Sequence, residues 1–145
     1  MAYDGNYKAY FEFIADSLKR YSSQRDKQKG EAFVHGFTLA MTSQNQFYRP
    51  ISELDNDGGY ADIFLSPLCD IYKDMVDSYI IELKYCKTNT ADEQLQVLFK
   101  EASAQICRYA NSDIVKESVK TTKLHKLVVI YRGAEMVMCE EVTEE

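Results

Sequence analysis

Residues 79–85 read Tyr79-Ile80-Ile81-Glu82-Leu83-Lys84-Tyr85. Tyrosine and isoleucine favour strands and nothing in the run breaks a ladder, so the stretch is expected to be a β-strand. Side chains alternate faces along a strand. Ile81, Leu83 and Tyr85 then point one way, and Ile80, Glu82 and Lys84 the other. A carboxylate and an ammonium therefore share one face of a mostly apolar strand. Burying them there is unfavourable unless the pair has a partner or a task.

The strand before it brings a second acid. Tyr60-Ala61-Asp62-Ile63-Phe64-Leu65 alternates so that Asp62 and Phe64 share a face, with Ile63 and Leu65 on the other. If Ile63, Leu65, Ile81 and Leu83 pack under one helical layer, Asp62 and Glu82 meet on the opposite face of neighbouring strands. Two carboxylates that close repel, and burying both is worse. A divalent cation resolves the conflict: Mg²⁺ takes oxygen ligands, keeps several waters and uses one or two carboxylates plus substrate phosphate. The Leu83 carbonyl is a candidate third ligand. Lys84, on the face of Glu82, is placed to stabilise charge building on a phosphate oxygen.

Outward from these strands the pattern predicts α, α, β, β, β, α, β, β. Tyr7, Tyr10, Phe11, Ile14, Leu18 and Tyr21 recur at helical spacing over 6–21. Ser22 to Gly30 is a polar, basic connector, with or without a first helical turn. Its Arg25, Lys27 and Lys29, with Lys19 and Arg20, form the densest positive cluster, either a solvated surface or a patch that faces phosphate. A helix over 31–44 carries Phe33, Val34, Phe37, Ala40 and Met41, with Glu31 near its start and His35 one turn on. A lone histidine there is more often packed than catalytic. A strand over 46–53 contains Pro50 and is expected to be an edge or a bent strand. Residues 54–59 read as a turn, 66–77 as a connection, and Thr90-Ala91-Asp92-Glu93 as a capping box. The helix after it bears Leu95, Leu98, Phe99, Ala102, Ile106 and Tyr109. Residues 112–122 are less regular. Leu127-Val128-Val129-Ile130 is apolar on both faces, as in a central strand, and a last strand covers 135–139.

The 145 residues suffice for one domain with a real core. No apolar run approaches the ~20 residues of a membrane span, and the N-terminus lacks signal-peptide features; a cytoplasmic protein with no membrane partner is expected. Cys69, Cys86, Cys107 and Cys139 form no CxxC pair, so a zinc site is not expected and four reduced, mostly buried side chains are. A net charge of −6 argues against coating nucleic acid through bulk electrostatics, though not against a local basic groove.

Gly59-Tyr60-Ala61-Asp62 followed by Glu82-Leu83-Lys84 resembles the motif of the PD-(D/E)XK nuclease superfamily. The likeness is strongest to the nuclease-like domain that follows an AAA-ATPase-like domain in many bacterial proteins, notably of Bacteroidetes. Gly30-Glu31 resembles the family's first-helix acid, Ser52-Glu53 and the Gly-rich turn precede the Asp strand, and Gln105-Ile106-Cys107-Arg108-Tyr109 resembles its Gln-x-x-x-Tyr helix. The resemblance runs from about Gly30 to Met138. It implies a restriction-endonuclease-like α/β fold, a mixed central sheet flanked by helices. The chain then divides into an N-terminal helix and connector (1–29), a nuclease-like domain (30–140) and an acidic tail (141–145).

The resemblance further implies Mg²⁺ or Mn²⁺ held by Asp62, Glu82 and Leu83. Lys84 is the catalytic lysine and Glu31 an auxiliary acid. Gln105 joins the catalytic set, and Tyr60 and Tyr109 line the substrate. Family members often have Arg where this chain has Tyr60, so a phosphate contact is missing or supplied elsewhere. Singly, each residue has a plain explanation: Glu-x-Lys as a surface ion pair worth little, Asp62 as a turn cap, Tyr109 as core. The ordered set is what points to a site. The implied activity is metal-dependent hydrolysis of DNA or RNA. The alternative is an inactive module that binds nucleic acid or a protein and serves an attached AAA-type ATPase; a metallohydrolase for other phosphates also fits the residues. Many nucleases of this fold dimerise, so a homodimer is compatible.

Overall fold

The computed structural model describes residues 1–56 and 59–143, with the side chains of 53–61 outside that description. Three helices come first: α1 (Tyr7–Tyr21), α2 (Gln24–Lys27) and α3 (Glu31–Thr42). Strands β1 (Tyr48–Asn56), β2 (Gly59–Pro67) and β3 (Asp77–Cys86) follow, then α4 (Asp92–Ala110), α5 (Asp113–Val119), β4 (Lys123–Arg132) and β5 (Glu135–Glu141). The strands form one sheet in the order β1-β2-β3-β4-β5. β3 and β4 are parallel, joined by the α4–α5 crossover; the other neighbours are antiparallel. This is the mixed sheet flanked by helices of the restriction-endonuclease-like fold.

The alternation read in β3 sorts the core into two layers. Ile63, Leu65, Tyr79, Ile81, Leu83, Leu127, Val129 and Tyr131 pack with Phe11, Ile14 and Leu18 of α1 and Val34 of α3. Phe64, Ile80, Val128 and Ile130 face Leu95, Ala102, Ile106 and Tyr109 of α4 and Val115 of α5. Ile81 and Leu127 are completely buried, as expected at the centre of a sheet covered on both sides. Pro50 sits in β1 at the sheet edge, where its missing N–H leaves no ladder bond unmade.

Several local expectations are corrected. β1 does not stop at residue 53: it pairs with β2 as far as Asn56↔Gly59, because the ladder supplies hydrogen bonds whatever the side-chain polarity. Residues 57 and 58 of the expected turn lie outside the described residues, as do 144 and 145 of the acidic tail. β2 and β3 are longer than expected, which shortens their connection to 68–76. The capping box is not made. Ala91 is the N-cap and carries no side-chain bond, while Arg132 Nη1 donates to the Thr90 carbonyl at 3.2 Å and to Asp92 Oδ1 at 2.6 Å. Tyr21 is exposed, one step beyond the end of the α1 stripe. On α3 the buried line is Val34, Thr38 and Thr42, and Ala40 is exposed. The threonines are tolerated because Thr38 Oγ1 donates to the Val34 carbonyl at 2.8 Å and Thr42 Oγ1 to that of Leu39 at 3.0 Å. All four cysteines are free, but only Cys139 is buried; the others stand at a strand end, on a half-exposed helical position and in a connection.

Candidate active site

The β2–β3 ladder ends at Ile63↔Ile81. One step further, the same register brings Asp62 opposite Glu82. Here a side chain takes the place of a main-chain acceptor: the Leu83 N–H donates to Asp62 Oδ2 at 2.7 Å. The N–H and C=O of a strand residue leave on the same side, so the Leu83 carbonyl also faces the gap where the strands part. Asp62, Glu82 and Leu83 thus converge at one point of the sheet.

Glu82 continues the face of Ile80 and is almost fully buried, its side chain 3% exposed. Its Oε1 accepts from Lys84 Nζ at 2.8 Å. Its Oε2 is buried and has no hydrogen-bond partner among the described residues. A buried carboxylate oxygen left unpaired is strongly unfavourable. Lys84 is half-buried, with its ammonium held toward Glu82.

Helix α3 closes the other side. Gly30, its N-cap, has φ +65° and ψ −136°, a conformation natural only to glycine, and a Cβ there would meet Tyr85 Cε1 at 3.4 Å. That close approach starts the helix against the end of β3 and sets Glu31 in its first turn. Glu31, Ala32, His35, Asp62 and Leu83 line a cavity of about 420 Å³. His35 Nε2 lies 3.1 Å from the Asp62 carbonyl and 3.4 Å from Ser52 Oγ. The spacing that put His35 one turn after Glu31 was the only sequence signal for it, and the histidine belongs with the site.

The charges are in conflict. Burial pushes the Glu82 carboxyl up to about 7, the Asp62 charge adds to this, and Lys84 and the Asp62 amide oppose it. Asp62 is likewise raised, first by burial and then by Glu31, against the Leu83 N–H, Lys84 and His35. Burial pulls the Lys84 ammonium down, but Glu82, Asp62 and Glu31 outweigh it and leave it above its ordinary value. Two carboxylates that resist ionisation, one with an orphaned oxygen, beside a carbonyl suit a hard divalent cation. No group of three His, Cys, Asp or Glu side chains converges among the described residues. Water and phosphate would supply the other ligands, the usual habit of Mg²⁺.

Gln105 is half-buried on α4, on the Glu82 side of the sheet, and its Oε1 has no partner among the described residues. Tyr109 is buried in the α4 core layer. The Tyr60 side chain lies outside the described residues. In the basic cluster Lys19 pairs with Glu135 at 2.9 Å and Lys29 with Asp26 at 3.3 Å. Arg25 and Lys27 of α2 have no ion-pair partner among the described residues. No helix among the described residues is long and apolar enough to cross a membrane.

A family model described as the PD-(D/E)XK nuclease superfamily matches residues 29–141. No curated protein and no solved structure gives a significant match.

Proposed function

The chain belongs to the PD-(D/E)XK nuclease superfamily, and from that premise we propose that it is a metal-dependent nuclease hydrolysing DNA or RNA phosphodiester bonds. The observation that carries this is the buried Glu82 carboxylate set against Asp62, with Oε2 unpaired among the described residues and the β2–β3 ladder ending one step before it. Asp62, Glu82 and the Leu83 carbonyl would hold Mg²⁺ or Mn²⁺. A bound divalent ion supplies Lewis acidity at the phosphoryl oxygen and lowers the pKa of an attacking water.

The protein's own groups do the rest. Lys84 brings a fixed positive charge to the phosphate as negative charge builds on it in the transition state. Its hydrogen bond to Glu82 aims the ammonium and keeps it charged. Glu31, on the rim of the cavity, adds negative charge that favours a cation and keeps Lys84 protonated. Arg25 and Lys27, a few residues before Glu31 and with no ion-pair partner among the described residues, are the groups available to a nucleic-acid backbone; they offset locally the chain's net charge of −6.

The test is cleavage of single- and double-stranded DNA and RNA with Mg²⁺ or Mn²⁺ and with chelator. Expected is metal-dependent cutting that falls by about 10²–10³ or more in Lys84→Ala and is lost in Glu82→Ala. Unchanged cutting in both variants would overturn the assignment. An unsubstituted chain that cuts none of the four substrates returns the domain to a binding role.

A further inference from the structure

Asp62 is gripped by two elements at once. From β3, the Leu83 N–H holds its carboxylate at 2.7 Å. From α3, His35 Nε2 meets its carbonyl at 3.1 Å. A carbonyl oxygen only accepts, so Nε2 must carry the hydrogen and donate it. Ser52 Oγ, 3.4 Å from the same nitrogen, is a secondary contact that brings β1 into the group. His35 is half-buried and directs a polar atom, rather than ring carbon, at the strand.

A device of this kind is needed at this position. The regular ladder has ended at Ile63, so the Leu83 N–H, whose next rung would fall on residue 61, is met by the Asp62 carboxylate instead. That half-buried carboxylate also stands opposite Glu82 in the register and lines one cavity with Glu31, so like charges crowd it. Left to itself it would relieve that pressure by turning the strand end toward water. The hydrogen bond from α3 opposes this by fixing the backbone from which the carboxylate hangs. Glu31 sits one turn earlier on the same helix, so one clamp sets the distance between two acids of the site.

We propose that His35 is a positioning residue, whose Nε2–H anchors the Asp62 carbonyl and so holds the Asp62 carboxylate in its metal-binding place. It rests on the metal-site reading for its consequence, though not for its geometry. Groups that hold a metal ligand in orientation typically change metal affinity by about 10–100-fold when removed.

Two readouts on the intact chain test it. One is Mn²⁺ affinity by calorimetry; the other is hydrogen exchange of the Leu83 amide without metal, which reports the Asp62 clamp directly. The variants are His35→Leu, which keeps bulk and loses the donor, and His35→Gln, whose amide nitrogen can stand where Nε2 stands. Expected is about 10–100-fold weaker Mn²⁺ binding and faster Leu83 exchange in His35→Leu, with both restored close to the unsubstituted chain in His35→Gln. Should His35→Leu fail to fold, His35→Asn, too short to reach the carbonyl, replaces it in the comparison. The proposal is overturned if the donor-lacking variant matches the unsubstituted chain in Leu83 exchange, or if His35→Gln is as impaired as it. Asp62→Asn separates the two levels. If it binds Mn²⁺ as well as the unsubstituted chain, the metal-site reading fails, while Leu83 exchange still decides whether His35 positions Asp62.

Discussion

Glu82→Gln tests the electrostatic conflict at the site. The substitution keeps the side chain's size and removes its charge. In the folded protein the Glu82 carboxyl is raised from 4.5 to about 7, by burial first and by the Asp62 charge second. Between those values the folded state keeps a proton that the unfolded chain has released. Stability therefore falls as pH rises through that window and levels off above it. At about 1.4 kcal/mol per pH unit the full displacement is worth roughly 3 kcal/mol. Solvent screening takes little from this, because the side chain is only 3% exposed. Asp62, also raised and chiefly by burial, acts in the same direction in both proteins. The assay is urea denaturation in chelator from about pH 4.5 to about pH 8, comparing the two proteins so that other titrations cancel. The unsubstituted chain should lose about 3 kcal/mol relative to Glu82→Gln across that range, and saturating Mg²⁺ should recover much of the loss by favouring the ionised carboxylates. Parallel curves in chelator, with a constant offset, would refute the conflict and with it the physical case for a cation.

Gly30→Ala should destabilise the fold by roughly 1–3 kcal/mol, because it forces a residue with a Cβ to φ +65° and against Tyr85; a urea midpoint equal to that of the unsubstituted chain would deny the strain. Arg25→Ala with Lys27→Ala should weaken nucleic-acid binding about equally across sequences and reduce the salt dependence by about one to two phosphate contacts. A titration at several salt concentrations reads this, and an unchanged slope would remove α2 from the interface.

The strands and the acids on them were legible because their signals are local. Alternation in Tyr79–Tyr85 places Glu82 away from Ile81 and Leu83, and the structure puts those two in one layer and Ile80 in the other. The two-sided apolar run at 127–130 marks β4 for the same reason. What sequence could not resolve depends on contacts between distant elements. Thr38 and Thr42 look polar, yet they are buried because each satisfies its hydroxyl on its own helix. Thr90 looks like a cap, but the Arg132 contacts hold the chain so that the helix begins one residue later. His35 appears an ordinary helical histidine until α3 is packed on the sheet and its Nε2 meets Asp62. The end of the β2–β3 ladder, which opens the site, leaves no mark in composition, since it results from a side chain taking the place of a backbone acceptor.

In the proposed site Asp62 and Glu82 share a divalent cation with the Leu83 carbonyl. The most direct measurement is anomalous diffraction from crystals of the protein soaked with Mn²⁺. A single strong peak within bonding distance of Asp62, Glu82 and the Leu83 carbonyl, with Lys84 beside it, is the predicted result. Clear density for both carboxylates with no peak between them at saturating Mn²⁺ would rule out a shared cation.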